Sequence, residues 1–204
     1  MKIVFPKIEI NSMSSLESAI LKRESIRDYL DTALALSKLS QLLFAAQGRR
    51  GSGSKLVTPS AQEQYPISLY VVSATVDDLA PGLYQYEKND HSINRVKHGD
   101  FSTLLETAAI GEQPWIGNAA AILVLAADIR SMNQQFADQP PVNSRGERYC
   151  YIEVGAIAQN VQLMSAGLGV GMVLVGGFDN SGIKNILQLP EGIEPAAMLC
   201  IGNI

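Results

Sequence analysis

Hydrophobic and polar positions change period several times along the chain, and each change marks an element. In LALSKLSQLLFAAQG (34 to 48), Leu36, Leu39, Leu43 and Ala46 recur at helical spacing. This predicts a helix with Ser37 capping its start and Gly48 its end. RRGSGSKLVTPSAQEQYP (49 to 66) is rich in Gly, Ser and Pro and reads as a loop. Loops this long in a compact domain often bind something. ISLYVVSA (67 to 74) reads as a strand, and GLYQYE (82 to 87) with SINRV (92 to 96) as the arms of a hairpin. DFSTLLETAAIG (100 to 111) predicts a short helix capped by Asp100. AAILVLAAD, ending at Asp128, is a continuous apolar run that predicts a strand buried on both faces.

SMNQQFADQPPVNSRGE (131 to 147) is polar and contains proline, which predicts a surface excursion. A long helix is expected over 147 to 169. Cys150, Val154, Ile157, Val161, Met164 and Leu168 form a core stripe, while Gly155, Ala156, Ala158 and Ala166 leave its other faces poor in charge. A helix apolar nearly all round is buried all round, here as a central helix that a second subunit could share. VGMVLVGG then reads as a strand, NSGIKNILQL as a short helix and PAAMLCIGNI as a final strand. With no internal repeat or linker, these elements predict one domain over 1 to 204, of α+β class, with a mixed central sheet flanked by helices.

Composition narrows the function. The chain has 204 residues, 47% of them hydrophobic, a formal charge of −4 and a pI near 5.2. Disorder is not the expectation, and a general nucleic-acid surface would need clustered positive charge. The opening MKIVFPKIEI is too short and interrupted for a signal peptide, and no apolar run reaches spanning length. A cytoplasmic address is expected, with no membrane and no nucleic-acid partner. Cys150 and Cys200 lie far apart in apolar surroundings and read as buried free thiols. His91 and His98 have no carboxylate or cysteine at ligand spacing, so no metal is expected and both read as surface residues. Ser60 follows a proline but sits in no nucleophile elbow.

Two stretches carry candidate chemistry. In LKRESIRDYL (21 to 30), Arg23, Ser25 and Arg27 alternate. An extended backbone would place all three on one face, suited to a phosphate or a polar ring edge. The alternative is a solvated stretch in which Glu24 and Asp28 balance the arginines. GLGVGMVLVGG (167 to 177) has the wrong order for a dinucleotide fingerprint, because its glycines follow a helix and precede a strand. Gly167, Gly169 and Gly171 read as a helix stop and tight turn. Gly176 and Gly177 end a buried strand just before Phe178 and Asp179, either as a plain turn or as a place where a ligand approaches the backbone.

Taken in order, RESIRDY (23 to 29), LSQLLFAAQG (39 to 48), TPSAQEQYPISLYVV (58 to 72), GLYQYE, RYCYIEVGAIAQNVQLMSAGLG (148 to 169), VGGFD (175 to 179) and the closing LCIGNI resemble the FMN-dependent nitroreductase family. Within it, they most resemble the subgroup related to the azoline (thiazoline/oxazoline) dehydrogenases of peptide biosynthesis. The resemblance implies a nitroreductase-like fold and a homodimer with FMN at its interface. Arg23 and Ser25 would hold the phosphate and ribityl end, and Arg27 would face the N1/C2 carbonyl edge. Ser60, Ala61 and Gln62 would line the ring or ribityl chain. Val175, Gly176 and Gly177 would lie against the ring, with the glycine N–H groups donating to N5. Tyr149 is the candidate catalytic proton donor, with core packing as its other role, and Trp115 either covers the site or simply packs. The implied activity is NAD(P)H-driven ping-pong reduction of nitroaromatic, quinone or similar small acceptors. The alternatives are an FMN-dependent dehydrogenase in peptide or small-molecule tailoring, and a non-catalytic flavin-binding protein. Two departures from the family pattern stand out. The closing IGNI lacks a basic residue for the phosphate, leaving that task to Arg23 and Ser25 with Arg148 or another loop residue. Arg148-Tyr149 stands where the azoline dehydrogenases have a Lys-Tyr pair, and arginine is a poor base.

Overall fold

In the computed structural model, the described residues are 1–6, 8, 14–51 and 53–204. Parts of the opening decapeptide, and Ser52 in the expected 49 to 66 loop, lie outside them. The described elements are β1 (Lys2–Val4), α1 (Leu16–Lys22), α2 (Leu36–Gln47), β2 (Ile67–Ser73), β3 (Gly82–Glu87), β4 (Ser92–His98), α3 (Ser102–Thr107), β5 (Ala121–Asp128), α4 (Ile129–Gln135), α5 (Arg145–Leu168), β6 (Val170–Val175), α6 (Asn180–Leu187) and β7 (Ile193–Asn203). The α+β class holds: the strands form one sheet in the order β1-β4-β3-β2-β5-β7-β6, flanked by helices. Paired strands run antiparallel, and the Leu34–Val76 bridge is parallel. β5 and β6 run in the same direction, but β7 lies between them and pairs antiparallel with both.

β5 shows why its sequence has no polar interruption. Ala121, Leu123, Leu125 and Ala127 enter a core shared with α2 and α5, while Ile122, Val124 and Ala126 enter a second core with α3 and α6. A central strand covered on both faces needs apolar residues at every position. Cys150 and Cys200 are buried and unbridged, and burial pushes both thiols up to about 12.

Several local expectations change. The cap of α2 is Ala35, with no side-chain bond, so Ser37 does not cap it; Gly48 does end it. Asp100 accepts from the Ser102 N–H at 2.8 Å, but the capping position belongs to Phe101. The expected surface excursion contains α4, whose start is held by Asp128 accepting from the backbone and hydroxyl of Ser131. Met132 and Phe136, one turn apart, bury themselves under its polar outer face. α1 is a further helix, capped by Ser15; at 7 residues it is too short to show a period. α5 begins at Arg145 and closes on Gly169, whose φ of 61° is the left-handed conformation of a helix stop. Within one chain α5 is not buried all round, since Tyr151, Ile152, Gly155 and Gln159 face outward. His98 is exposed, but His91 is half-buried rather than a free surface residue. It lies among Phe5, Phe44 and Tyr86, with its ring nitrogens 2.8 Å from Ser40 Oγ and Tyr86 Oη.

Candidate functional site

The Arg23–Arg27 segment lies along the open edge of β6. The Ile26 N–H donates to the Met172 carbonyl at 3.0 Å, so Met172 presents its backbone outward, away from β7. β6 ends at Val175, and the exposed Gly176 follows it directly. Four residues separate Met172 from Gly176, roughly 13 Å of strand. The segment is not a β-strand, and its inward side chains are Arg23, Ile26 and Tyr29, every third residue. A backbone with a period near 3 leaves Ser25 and Arg27 both exposed but on different faces, so Arg23, Ser25 and Arg27 do not share the one face expected of a strand. Tyr29 locks the segment down. Its hydroxyl donates toward the carbonyls of Ile26 and Cys200 at 3.1 and 3.0 Å, and its ring lies so close over Gly202 that an added Cβ there would meet Cγ at 2.5 Å.

Arg27 is exposed. Its Nη1 donates to the Ser25 carbonyl at 3.4 Å, and its guanidinium sits 5.2 Å from the centre of the Trp115 ring. The indole N–H of Trp115 is buried without an acceptor among the described residues. Two residues before it, Gln113 donates to the Gly177 carbonyl at 2.8 Å, and the Ile110 N–H donates to the same oxygen at 2.9 Å. These contacts tie Arg27 and the glycine pair into one cluster. Val175 is buried beneath it. A Cβ added to Gly176 would meet nothing within 4 Å, so the space over that residue is open; at Gly177 it would meet Gln113 Nε2 at 3.3 Å.

The Ser60, Ala61 and Gln62 loop forms a second cluster. Thr58 bonds to the Ala46 carbonyl, and Asn160 of α5 donates to Thr58 at 3.0 Å. Beyond Ser60, the backbone takes positive φ at Gln62 (49°), Glu63 (57°) and Tyr65 (50°). Non-glycine residues pay for such conformations, and the Tyr65 N–H bonded to Ser60 Oγ at 2.8 Å helps hold them. Under the loop sits Glu153, only 2% exposed. Burial pushes its carboxyl up to about 7, while the nearby Ser60 hydroxyl and the ammonium of Lys88 pull the other way. One carboxyl oxygen, Oε2, has no partner among the described residues. Glu153 was not singled out in the sequence. The available signal was a lone acid inside the apolar stripe of α5, between Cys150 and Val154.

No hydrogen bond among the described residues joins Ser60, Ala61 or Gln62 to Arg27 or the glycine pair; α5 touches both regions, through Asn160 to Thr58 and Gln162 to the Glu24 carbonyl. Arg148 is exposed on the first turns of α5. It lies about 21 Å along the helix axis from Gln162, which contacts the Glu24 carbonyl, so it does not join Arg23 within one chain. Tyr149 packs edge-on against Phe136 at 4.7 Å and donates to Gln139 Oε1 at 2.7 Å. No grouping of three or more metal-ligating side chains occurs among the described residues.

The nitroreductase family model matches residues 20–203. The chain is 37% identical over 203 residues to a candidate nitroreductase of Methanocaldococcus jannaschii, covering 100% of this chain and 96% of the relative. A crystal structure of a candidate nitroreductase from Ralstonia eutropha superposes with a TM-score of 0.82 at 27% identity, over 99% of this chain and 89% of the other. The fold is also shared, at a TM-score of 0.72 and 17% identity, with a chain of the E. coli microcin synthetase McbBCD complex, over 99% of this chain and 77% of that one. The chain belongs to the nitroreductase family and is an oxidoreductase of that fold.

Proposed function

We propose that the protein is an FMN-dependent oxidoreductase that draws electrons from NADH or NADPH and passes them to nitroaromatic, quinone or similar small acceptors in ping-pong turnover. The observation that supports this most is the open end of β6, where an exposed arginine and an exposed serine lie on the segment bonded to that edge and an exposed glycine with open space above it follows the strand. The residues fit the cofactor. Cations suit its phosphate and polar ring edge, and a glycine with open space above it admits a flat ring against backbone. When bound, FMN supplies the hydride chemistry. The protein's part is to bind and orient. Ser25, with Arg23 behind it, faces the phosphate end. Arg27, resting on Trp115, offers a cation to the ring edge that gains negative charge on reduction. Gly176 and Gly177 present N–H donors toward N5.

The Ser60–Gln62 loop completes the site from a second subunit. A homodimer is favoured over a monomer by apolar side chains left uncovered in one chain, among them Ile152 (62% exposed) on α5 and Leu21 (86% exposed) on α1. A cytoplasmic address goes with this reading; no helix among the described residues is long and apolar enough to cross a membrane. A role as a dehydrogenase in peptide tailoring is the second reading, favoured by the fold shared with the microcin synthetase chain. The visible spectrum of the purified protein, before and after anaerobic NAD(P)H, separates the possibilities. Bound FMN that bleaches is expected. FMN that stays oxidised would favour the dehydrogenase or a non-catalytic flavin carrier, and protein that refuses added FMN would end the proposal.

A further inference from the structure

Gly176 and Gly177 lack Cβ atoms and move easily between backbone conformations, yet a donor aimed at a cofactor works best when it is held in place beforehand. The chain on either side supplies the restraint. Up to Val175 the backbone is paired with Met198 of β7. Beyond the glycines, the Asp179 N–H donates to the Ala108 carbonyl at 2.8 Å and the Ile110 N–H to the Gly177 carbonyl at 2.9 Å, so that Ala109 and Phe178 form an antiparallel bridge. The second donor to the Gly177 carbonyl is Gln113 Nε2 at 2.8 Å. A carbonyl oxygen has two lone pairs. Both are taken here, which fixes the direction of the Gly177–Phe178 peptide.

Gln113 reaches this position because Gly111, at φ 76°, turns the chain back on itself. Its amide nitrogen has two hydrogens, and there is an acceptor for each: the Gly177 carbonyl, and the Ile110 carbonyl at 3.0 Å. The same nitrogen lies 3.3 Å from where a Cβ on Gly177 would stand, so the amide closes over that residue. Only the peptide between Gly176 and Gly177 is then left between two held ends. Its N–H, that of Gly177, has no backbone acceptor among the described residues.

We propose that Gln113 is a positioning residue for the flavin reaction: by fixing the Gly177 carbonyl, it aims the Gly177 N–H at the ring. The inference rests on the placement of FMN at the end of β6. Gln113 acts through Gly177 and transfers nothing. Its loop also carries Trp115, whose ring centre is 5.2 Å from the Arg27 guanidinium. One short segment thus sets both the donor and the cation offered to the ring.

Two variants separate hydrogen bonding from bulk. Gln113→Met keeps the length and loses both donors. Gln113→Glu keeps the shape, but its carboxylate only accepts and would face two carbonyls. Each should lower FMN affinity by about fivefold, one neutral hydrogen bond's worth, measured by fluorescence quenching on the full-length protein at neutral pH. At saturating FMN, the rate at which NAD(P)H bleaches the bound flavin should fall by about tenfold, less than the roughly hundredfold expected when a preorganised donor is removed outright. Gln113→Glu that matches the wild type in both measurements would overturn the proposal, because shape alone would then suffice. A second readout needs no flavin: backbone nitrogen relaxation by NMR in cofactor-free protein. The order parameter of the Gly177 N–H should drop from about 0.85 in the wild type to below about 0.6 in both variants, with residues 58 to 65 unchanged. Equal order at Gly177 in all three proteins would sink the proposal whatever the flavin measurements give. Wild-type protein that binds no FMN would end the cofactor reading; a drop in order would still sustain Gln113 as the clamp on the glycine pair, and no drop would remove that too.

Discussion

The β6 edge and the Ser60 loop are built on opposite principles. The edge is open: Ser25 and Arg27 are exposed, the space over Gly176 is empty, and its order comes from one tyrosine wedged against Gly202 and from Gln113 bound to the Gly177 carbonyl. The loop is held by Asn160 of α5 bonded to Thr58 and by the Tyr65 N–H bonded to Ser60 Oγ, and stores its cost in positive φ at Gln62, Glu63 and Tyr65. Exposed cations give long-range attraction that salt screens. A braced turn with a buried acid gives position, at a cost that depends on pH. A site made from both would capture an anionic cofactor with one region and orient it with the other. That division predicts that substitutions at the edge change how much flavin is held, and that substitutions under the loop change how well it is oriented.

The largest effect is expected at Gly176. Gly176→Val puts a branched side chain into space that meets no other atom within 4 Å, so the fold has little to resist it. Flavin affinity should drop by about 100-fold or more, the cost of filling a ring's contact surface, with the thermal midpoint nearly unchanged. Retained yellow protein would remove Gly176 from the ring contact. Gly177→Val is a less clean probe, because its side chain must also displace Gln113. Gly202→Ala comes next. Its Cβ collides with the Tyr29 ring, and overpacking of this kind costs about 2 kcal/mol. Amide exchange should quicken over residues 23 to 30 and stay unchanged over 58 to 65. Equal loosening of both regions would show that they are not independent.

Arg27→Ala is expected to be milder. It removes a cation stacked on Trp115 and a contact to the flavin edge, together about tenfold in affinity. The flavin should also become harder to reduce, read as a more negative midpoint potential. Arg27→Lys should recover part of the affinity and little of the potential, since lysine lacks the planar fork. An unchanged potential in Arg27→Ala would place the arginine at the phosphate instead.

Much of the fold was legible because long periodic segments carry their own signal. α5 and β5 were readable from a spacing of three and four and from an unbroken apolar run. α4 was hidden, because only Met132 and Phe136 face inward and the polar residues between them look like a loop. The burial of His91 was hidden too, since Phe5, Phe44 and Ser40, which surround it, are distant in sequence. For the site, the arginines, the serine and the glycine pair could be named, but their arrangement could not. Their common edge depends on one hydrogen bond from Ile26 to Met172, across 146 residues of chain. Glu153 was missed because a single acid in a helix usually signals an exposed face, and only tertiary packing puts this one beneath the loop.

Tyr149 gives the smallest expected effect and the sharpest test of where the boundary of the site lies. Its hydroxyl is already committed to Gln139 at 2.7 Å and its ring to Phe136. A proton donor to substrate must reach the reacting atom within hydrogen-bond distance, and this hydroxyl would first have to leave Gln139. Tyr149→Phe keeps the ring packing and loses one hydrogen bond, so stability should fall by about 1 kcal/mol. Flavin content and turnover per bound flavin should be unchanged across pH. A fall in turnover with flavin content preserved would mean that the hydroxyl does swing free, and that the region over α4 belongs to the reaction centre after all.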